Sequence, residues 1–387
     1  MENKNTLDQY ASAKLEQLTR SGLRRFLVPT SREKKGTAGR GGQSFISFSC
    51  NDYLGLSQNP QIKTAAAEAL MEFGVGAGAS RLVTGNSPIY RRLEESLARI
   101  KSTEGAVVFG SGYLANLGVI PVFVGSRDLC LVDELAHSSM HAGIKASGAQ
   151  VILFAHNDLD DCRQKLSRQR AKYQHCMILS EGVFSMDGDR APLIGLSDLA
   201  DEFDSWLFID DAHGFGVLGN GAGSVVEAGM AGRVHLQMGT LSKSVGSYGG
   251  FLCGSGPVCD LLVNRARSLI YETGLPPASL AASLAALDFI ETHPSIVARP
   301  LKLARRFTQE LALPMAQSAI VPFIMGSPQA ALAASSKLEA LGFLITAIRP
   351  PTVPEGTARL RFTFCANHTD EDVSRLIKSM QGLGFTG

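Results

Sequence analysis

A chain of 387 residues is long enough for one large core with a smaller unit appended, since single cores stop growing at roughly 250–300 residues. Apolar residues at 45% and charged residues at 19% exclude a disordered chain. With 37 basic against 36 acidic side chains, the formal charge of +1 leaves no electrostatic footprint for nucleic acid or an anionic membrane, so a small-molecule ligand is expected.

The chain opens on apolar residues at helical spacing (Leu7, Tyr10, Leu15, Leu18) and continues into a basic, Gly-rich stretch, SREKKGTAGRGG, that reads as a solvated loop. The opening segment lacks the apolar run of a secretory signal. From Phe45 short β-branched or aromatic runs alternate with helical patterns. AVVF, DLCLVD, QVILFA, HCMILSEG, SWLFIDD and GGFLCG are the clearest predicted strands, and segments such as SPIYRRLEESLARI have amphipathic period. Such alternation implies βαβ units and a mostly parallel sheet, with ligands at the carboxyl ends of the strands. After about Pro277 long helical runs with a few strands, FLITAI and ARLRFTF among them, predict a smaller α+β unit. The uncharged run from Gly105 to Gly125 contains Gly-Ser-Gly, Asn116 and Pro121, and breaks into a strand and a helix rather than a membrane span. Seven scattered cysteines read as buried thiols of a reducing cytosol.

The candidate site residues follow in the same order. FGVGAGASRLVTGN lacks the Gly-Lys-Ser/Thr ending of a P-loop and reads as a connector. In AVVFGSGYLANLG a strand leads into a helix, so the amides of Gly112 and Tyr113 would face an anion at the helix N-terminus. Gly110-Ser-Gly112-x-x-Ala115 also matches a relaxed dinucleotide fingerprint, with Asp128 and Asp133 downstream, which keeps a nicotinamide-dependent oxidoreductase open as a second reading. His137 is either a helix-start histidine bonded to backbone or an imidazole stacked on a planar ring, and Ser185 is either a turn serine or a site residue. Asp210, at the end of the apolar strand SWLFIDD, caps a turn or meets a cationic ring nitrogen, and His213 follows within donor reach of the same ring. Lys243, in GTLSKSVGSYGG, is a surface amine or a desolvated one that attacks an aldehyde; Thr240 and Ser242 put hydroxyls nearby for a phosphate. No His or Cys has metal-ligand spacing.

Taken in order, SFSCNDYLGL, AHNDLDDC, EGVFSMDGD, IDDAHGFGVLG, GTLSKSVGSYGG, SLIYETGLPPA and TAIRPPTVPEGTARLRFTF resemble the signature blocks of the α-oxoamine synthases, a family of fold-type I pyridoxal-phosphate enzymes, from about Asn51 to the end. The resemblance implies an α/β fold: an N-terminal helical segment (1–45), a large cofactor-binding domain (46–280) whose mostly parallel seven-stranded sheet is flanked by helices, and a small C-terminal α+β domain (281–387). It implies pyridoxal phosphate bound to Lys243 as a Schiff base, Asp210 on the pyridine nitrogen, His213 on the phenolic oxygen, His137 stacked on the ring, Ser185 beside it, and Gly112, Tyr113 and Thr240 at the phosphate. Arg361, Arg349 and Asn51 are then expected at the amino-acid carboxylate and Arg24 at the acyl entrance. The EGVFSMDGD block and the RPPTVP…GTARLR ending are similar to the biotin-forming branch, which condenses L-alanine with a pimeloyl thioester on coenzyme A or acyl carrier protein. Ser242 before the lysine is a wording shared with palmitoyltransferase-like members, so an activity like serine palmitoyltransferase or glycine C-acetyltransferase is the alternative. The resemblance also implies a cytoplasmic homodimer.

Overall fold

The structure, a computed structural model, describes residues 6–33 and 36–386. The fourteen strands among the described residues fall into three groups along the chain. The first is β1 (Ser31–Arg32), β2 (Thr37–Arg40) and β3 (Gln43–Ser47). Seven follow: β4 (Gly105–Phe109), β5 (Leu129–Asp133), β6 (Gln150–Phe154), β7 (Cys176–Glu181), β8 (Trp206–Asp210), β9 (Leu236–Thr240) and β10 (Gly250–Gly254). The last are β11 (Ile320–Gly326), β12 (Phe343–Leu344), β13 (Thr346–Ile348) and β14 (Ala358–Thr363).

The middle seven form one sheet in the order β4-β10-β9-β8-β7-β5-β6, and only β10 runs against its neighbours. The expected mostly parallel seven-stranded sheet is therefore present. Strands β5, β7 and β9 are buried at every residue, as a parallel sheet covered on both faces requires. One face packs Val107, Val119, Ile144 and Met238, and the other packs Leu131, Leu166, Ile178 and Leu196. The run from Gly105 to Gly125 splits into β4 and the helix Gly112–Phe123, and among the described residues no helix is long and apolar enough to cross a membrane.

Strands β11, β14 and β13 make a small antiparallel sheet backed by Leu303, Phe307, Leu338 and Leu376. At the N-terminal end of this frame the expected helix is present and the stretch after it differs from the sequence expectation. The helix Leu7–Arg20 forms with a Thr6/Gln9 capping box, but it buries none of its residues, so its apolar stripe stays exposed. The segment expected to be helical, and its SREKKGTAGRGG stretch expected to be a loop, instead contain strands: β1 and β2 pair antiparallel, β2 pairs with β3, and β3 pairs parallel with β12. The reason is tertiary. Ala38, Phe45 and Leu344 form a small buried cluster that organises a polar, Gly-rich sequence into a sheet. The helix Pro277–Thr292 likewise runs through residue 280 without a break, so no loop separates 46–280 from 281–387 at that point.

Candidate active site

The site lies at the carboxyl ends of the parallel strands, where loops leaving β4, β5, β7, β8 and β9 converge. Beyond β4, Ser111 caps the helix Gly112–Phe123 by accepting from Leu114 N–H at 3.2 Å. The Gly112 and Tyr113 amides begin the helix and have no carbonyl one turn earlier to bond. Close packing explains the glycines: a Cβ on Gly250 would lie 2.5 Å from the Gly112 nitrogen, and one on Gly112 would meet Met238 at 3.0 Å and Thr240 at 3.6 Å. Thr240 donates to Gly249 O at 2.8 Å and accepts from Ser242 N–H at 3.2 Å, so it fixes the turn that carries Lys243.

Beyond β8, Asp210 is buried and accepts from Ala212 N–H at 3.0 Å and Asn116 Nδ2 at 2.8 Å. Asn116 Nδ2 also donates to Ser139 Oγ at 2.8 Å, and Ser139 Oγ lies 2.6 Å from His137 Nδ1. A chain of side chains thus ties the Asp210 carboxylate to the His137 ring. Burial, with the charges of Lys243 and His141, lowers the His137 pKa even though Asp210 opposes it. His213 is buried and spans two partners, Tyr53 Oη at 2.7 Å from Nδ1 and Lys243 Nζ at 2.8 Å from Nε2. Lys243 has no ion-pair partner among the described residues. Burial pushes its pKa down to about 8, and Asp210 and Glu181 only partly resist.

Beyond β7, Ser185 is buried; its N–H donates to Glu181 Oε2 at 3.2 Å and its carbonyl accepts from Arg361 Nε at 2.6 Å. Arg361, on β14, also donates to Asn51 Oδ1 at 3.2 Å and contacts Tyr53 Oη at 3.5 Å. It is buried, and no carboxylate among the described residues pairs with it, an arrangement that is costly unless an anionic ligand arrives. Glu181 stands beside Asp210 in the strand register. Burial and the neighbouring Asp210 charge raise its carboxyl well above the usual range, and its Oε1 has no partner.

Of the sequence-predicted residues, Lys243, His213, Asp210, His137, Ser185, Asn51 and Arg361 therefore share one crevice, with Gly112, Tyr113 and Thr240 at its β4 and β9 side. Arg24 and Arg349 do not enter it. They line a neighbouring groove of about 610 Å³ with Arg25, Phe26 and Ile348, and Arg349 donates to Gly22 O. Thr352 lines both this groove and a cleft of about 710 Å³ that reaches His137 and Ser185. Sequence reasoning missed Tyr53, Asn116, Ser139 and Glu181. Glu181 carried the same signal as Asp210, a carboxylate ending an apolar strand, whereas Asn116 and Ser139 look like ordinary helix residues until the fold brings them together. Among the described residues no His, Cys, Asp and Glu cluster suits a metal.

This crevice fits pyridoxal phosphate: an uncharged-prone amine, a buried carboxylate for a ring nitrogen, free helix-start amides for a phosphate, and an unpaired guanidinium for a carboxylate. Comparison with known proteins agrees. Residues 43–380 match the family model described as aminotransferase class I and II. The 8-amino-7-oxononanoate synthase of Methylobacterium nodulans is 55% identical over 382 residues, 99% of this chain and 98% of its own. Among solved structures, serine palmitoyltransferase from S. paucimobilis with bound pyridoxal phosphate and myriocin superposes with a TM-score of 0.92 at 28% identity, covering 99% of this chain and 98% of that one. The 8-amino-7-oxononanoate synthase of Francisella tularensis gives a TM-score of 0.76 at 26% identity, covering 88% and 98%. The chain belongs to the aminotransferase class I and II family, on its 8-amino-7-oxononanoate synthase branch.

Proposed function

We propose that this protein condenses L-alanine with a pimeloyl thioester, on coenzyme A or acyl carrier protein, and releases CO2, the free thiol and 8-amino-7-oxononanoate for biotin synthesis. The observation that carries the reading is the pairing of two basic groups of different kinds, neither with a carboxylate partner among the described residues, a desolvated amine at Lys243 and a buried guanidinium at Arg361, joined through His213 and Tyr53. Identity of 55% to a synthase of that name favours alanine and a pimeloyl donor over the serine and palmitoyl pair of the 28% identical structural neighbour.

Pyridoxal phosphate, when bound, supplies the electron sink that makes both α-proton removal and decarboxylation feasible. Lys243 would hold it covalently through Nζ, and Asp210 would keep its ring nitrogen protonated. His213 would donate to its phenolic oxygen, His137 would lie against its face beside Ser185, and Gly112, Tyr113 and Thr240 would take its phosphate. Arg361, with Asn51, grips the alanine carboxylate as a fork and sets the orientation of the α-C–H bond. Lys243, with a pKa near 8, takes the α-proton at Nζ and returns a proton later, a task suited to an amine that exchanges protons near neutral pH. Arg24 and Arg349 draw the acyl donor to the groove that shares Thr352 with the main cleft.

The same reading holds the protein to be a cytoplasmic homodimer. Six of its seven cysteines are buried and all are free, and Met71, Val75, Leu82 and Val83 are each exposed, as apolar side chains that face a second copy would be. The test is product formation. Purified protein with pyridoxal phosphate, L-alanine and pimeloyl-CoA should give 8-amino-7-oxononanoate by mass spectrometry. Turnover only with serine or glycine and another acyl thioester would reject the substrates, and a protein that gains no visible absorbance with the cofactor would reject the chemistry.

A further inference from the structure

We infer that Tyr53 is a positioning residue that fixes His213 as the tautomer protonated on Nε2, so that the ring turns a donor rather than an acceptor toward Lys243. The case rests on donors and acceptors along four groups. Every guanidinium nitrogen is a donor, and Arg361 Nη2 faces Tyr53 Oη at 3.5 Å, so the phenol oxygen is the acceptor there. The phenol's own proton then has two acceptors within reach, His213 Nδ1 at 2.7 Å and Asn51 Oδ1 at 3.4 Å. Asn51 Oδ1 already accepts from Arg361 Nη1 at 3.2 Å, and at 3.4 Å against 2.7 Å it is the more distant of the two acceptors. The proton is therefore directed to Nδ1.

A neutral ring that accepts at Nδ1 carries its hydrogen on Nε2, which lies 2.8 Å from Lys243 Nζ. Burial above all holds the ring's pKa well below the usual histidine value, which favours the neutral form. Tyr53 is fully buried, and burial pushes its pKa up to about 12, so it keeps its proton to give. The reverse tautomer would set a second donor on the phenol oxygen and leave its proton only the long contact to Asn51. The consequence for Lys243 rests on the reading of that lysine as the cofactor's anchor: an amine that meets an N–H is held as the acceptor, the free base that attacks an aldehyde. Tyr53 thus acts through His213 without touching the reacting atoms.

The test is a long-range 15N–1H correlation spectrum of 15N-histidine-labelled protein as purified, with the His213 ring identified by its absence in His213→Gln. In the wild type, Nδ1 is expected at an unprotonated shift and Nε2 at a protonated one. In Tyr53→Phe the hydrogen is expected to spread onto Nδ1, giving averaged shifts. A wild-type ring protonated on Nδ1, or a Tyr53→Phe ring with the wild-type pattern, would overturn the proposal. The wild-type spectrum alone decides the tautomer if Tyr53→Phe fails to fold. In the folded variant kcat should fall about 10-fold or more while cofactor absorbance is kept, and an unchanged kcat would overturn the effect on Lys243. Should the wild type form no product, the reaction reading fails while the tautomer assignment is still judged by the spectrum.

Discussion

Two residues divide the chemistry of the site. In the proposed reaction Asp210 is the carboxylate placed for the ring nitrogen, and its register neighbour Glu181, whose carboxyl burial raises well above the usual range, is a poor substitute for it. Asp210→Asn is therefore expected to bind cofactor while kcat falls by about 10²-fold or more, measured by reconstitution and steady-state kinetics; normal turnover would reject the electron-sink role. Arg361 meets only neutral partners at Ser185, Asn51 and Tyr53. Arg361→Ala should raise KM for alanine roughly 10- to 100-fold, the size of a charge-assisted hydrogen bond, and leave KM for the thioester nearly unchanged. Equal changes in both would make it structural. The sequence showed these two residues because charge at the end of an apolar strand is costly and so stands out. It hid Asn116 and Ser139, whose polarity is ordinary on a helix and acquires meaning only where two helices meet.

At the scale of elements, one buried and one half-buried charge cluster hold the loops that carry these residues. Lys101 and Asp211 form a fully buried pair at 2.8 Å; Asp211 also accepts from Ser224 Oγ at 2.6 Å, which pins the turn bearing His213. Gly182, Gly214 and Gly223 crowd this pair so closely that a Cβ on any of them would lie within 2.0–2.6 Å of Asp211 or Ser224. Lys101→Met leaves a buried carboxylate unpaired, and urea unfolding should report a loss of about 3–5 kcal/mol; an unmoved midpoint would contradict it.

His156 bridges Asp133 at 3.0 Å and Asp189 at 2.8 Å, and so fastens the loop of Ser185 to the end of β5. Burial opposes its charge, but the two carboxylates outweigh it and raise its pKa from 6.5 to about 10. Because the folded value lies above the unfolded one, this stabilisation is full below about pH 6.5 and is lost as pH rises through about 10. The difference in Tm between wild type and His156→Gln should shrink over that range, and a constant difference would reject the assignment. His156 was legible only as part of a family block, because neither carboxylate is near it in the chain.

For the whole molecule, sedimentation at about twice 41.2 kDa is expected, and a monomer at micromolar concentration would remove the exposed apolar surface as an interface. The large sheet was readable because its strands are mainly apolar, with their polar residues near the ends, and most are separated by helices. The N-terminal hairpin was not, because its order comes from pairing with residues near the other end of the chain. Phe343 and Leu344 of β12 complete the sheet that Ile46 and Ser47 of β3 begin, and His368 bridges Ser47 O and Cys365 N. During synthesis β3 leaves the ribosome before its partner and has to wait, unpaired on one edge, until β12 at Phe343–Leu344 has emerged. Asn51 and Tyr53 follow that strand directly, so this wall of the pocket closes only after β12 has been made, and a nascent chain halted before β12 would hold Lys243 without a completed place for the proposed amino-acid substrate.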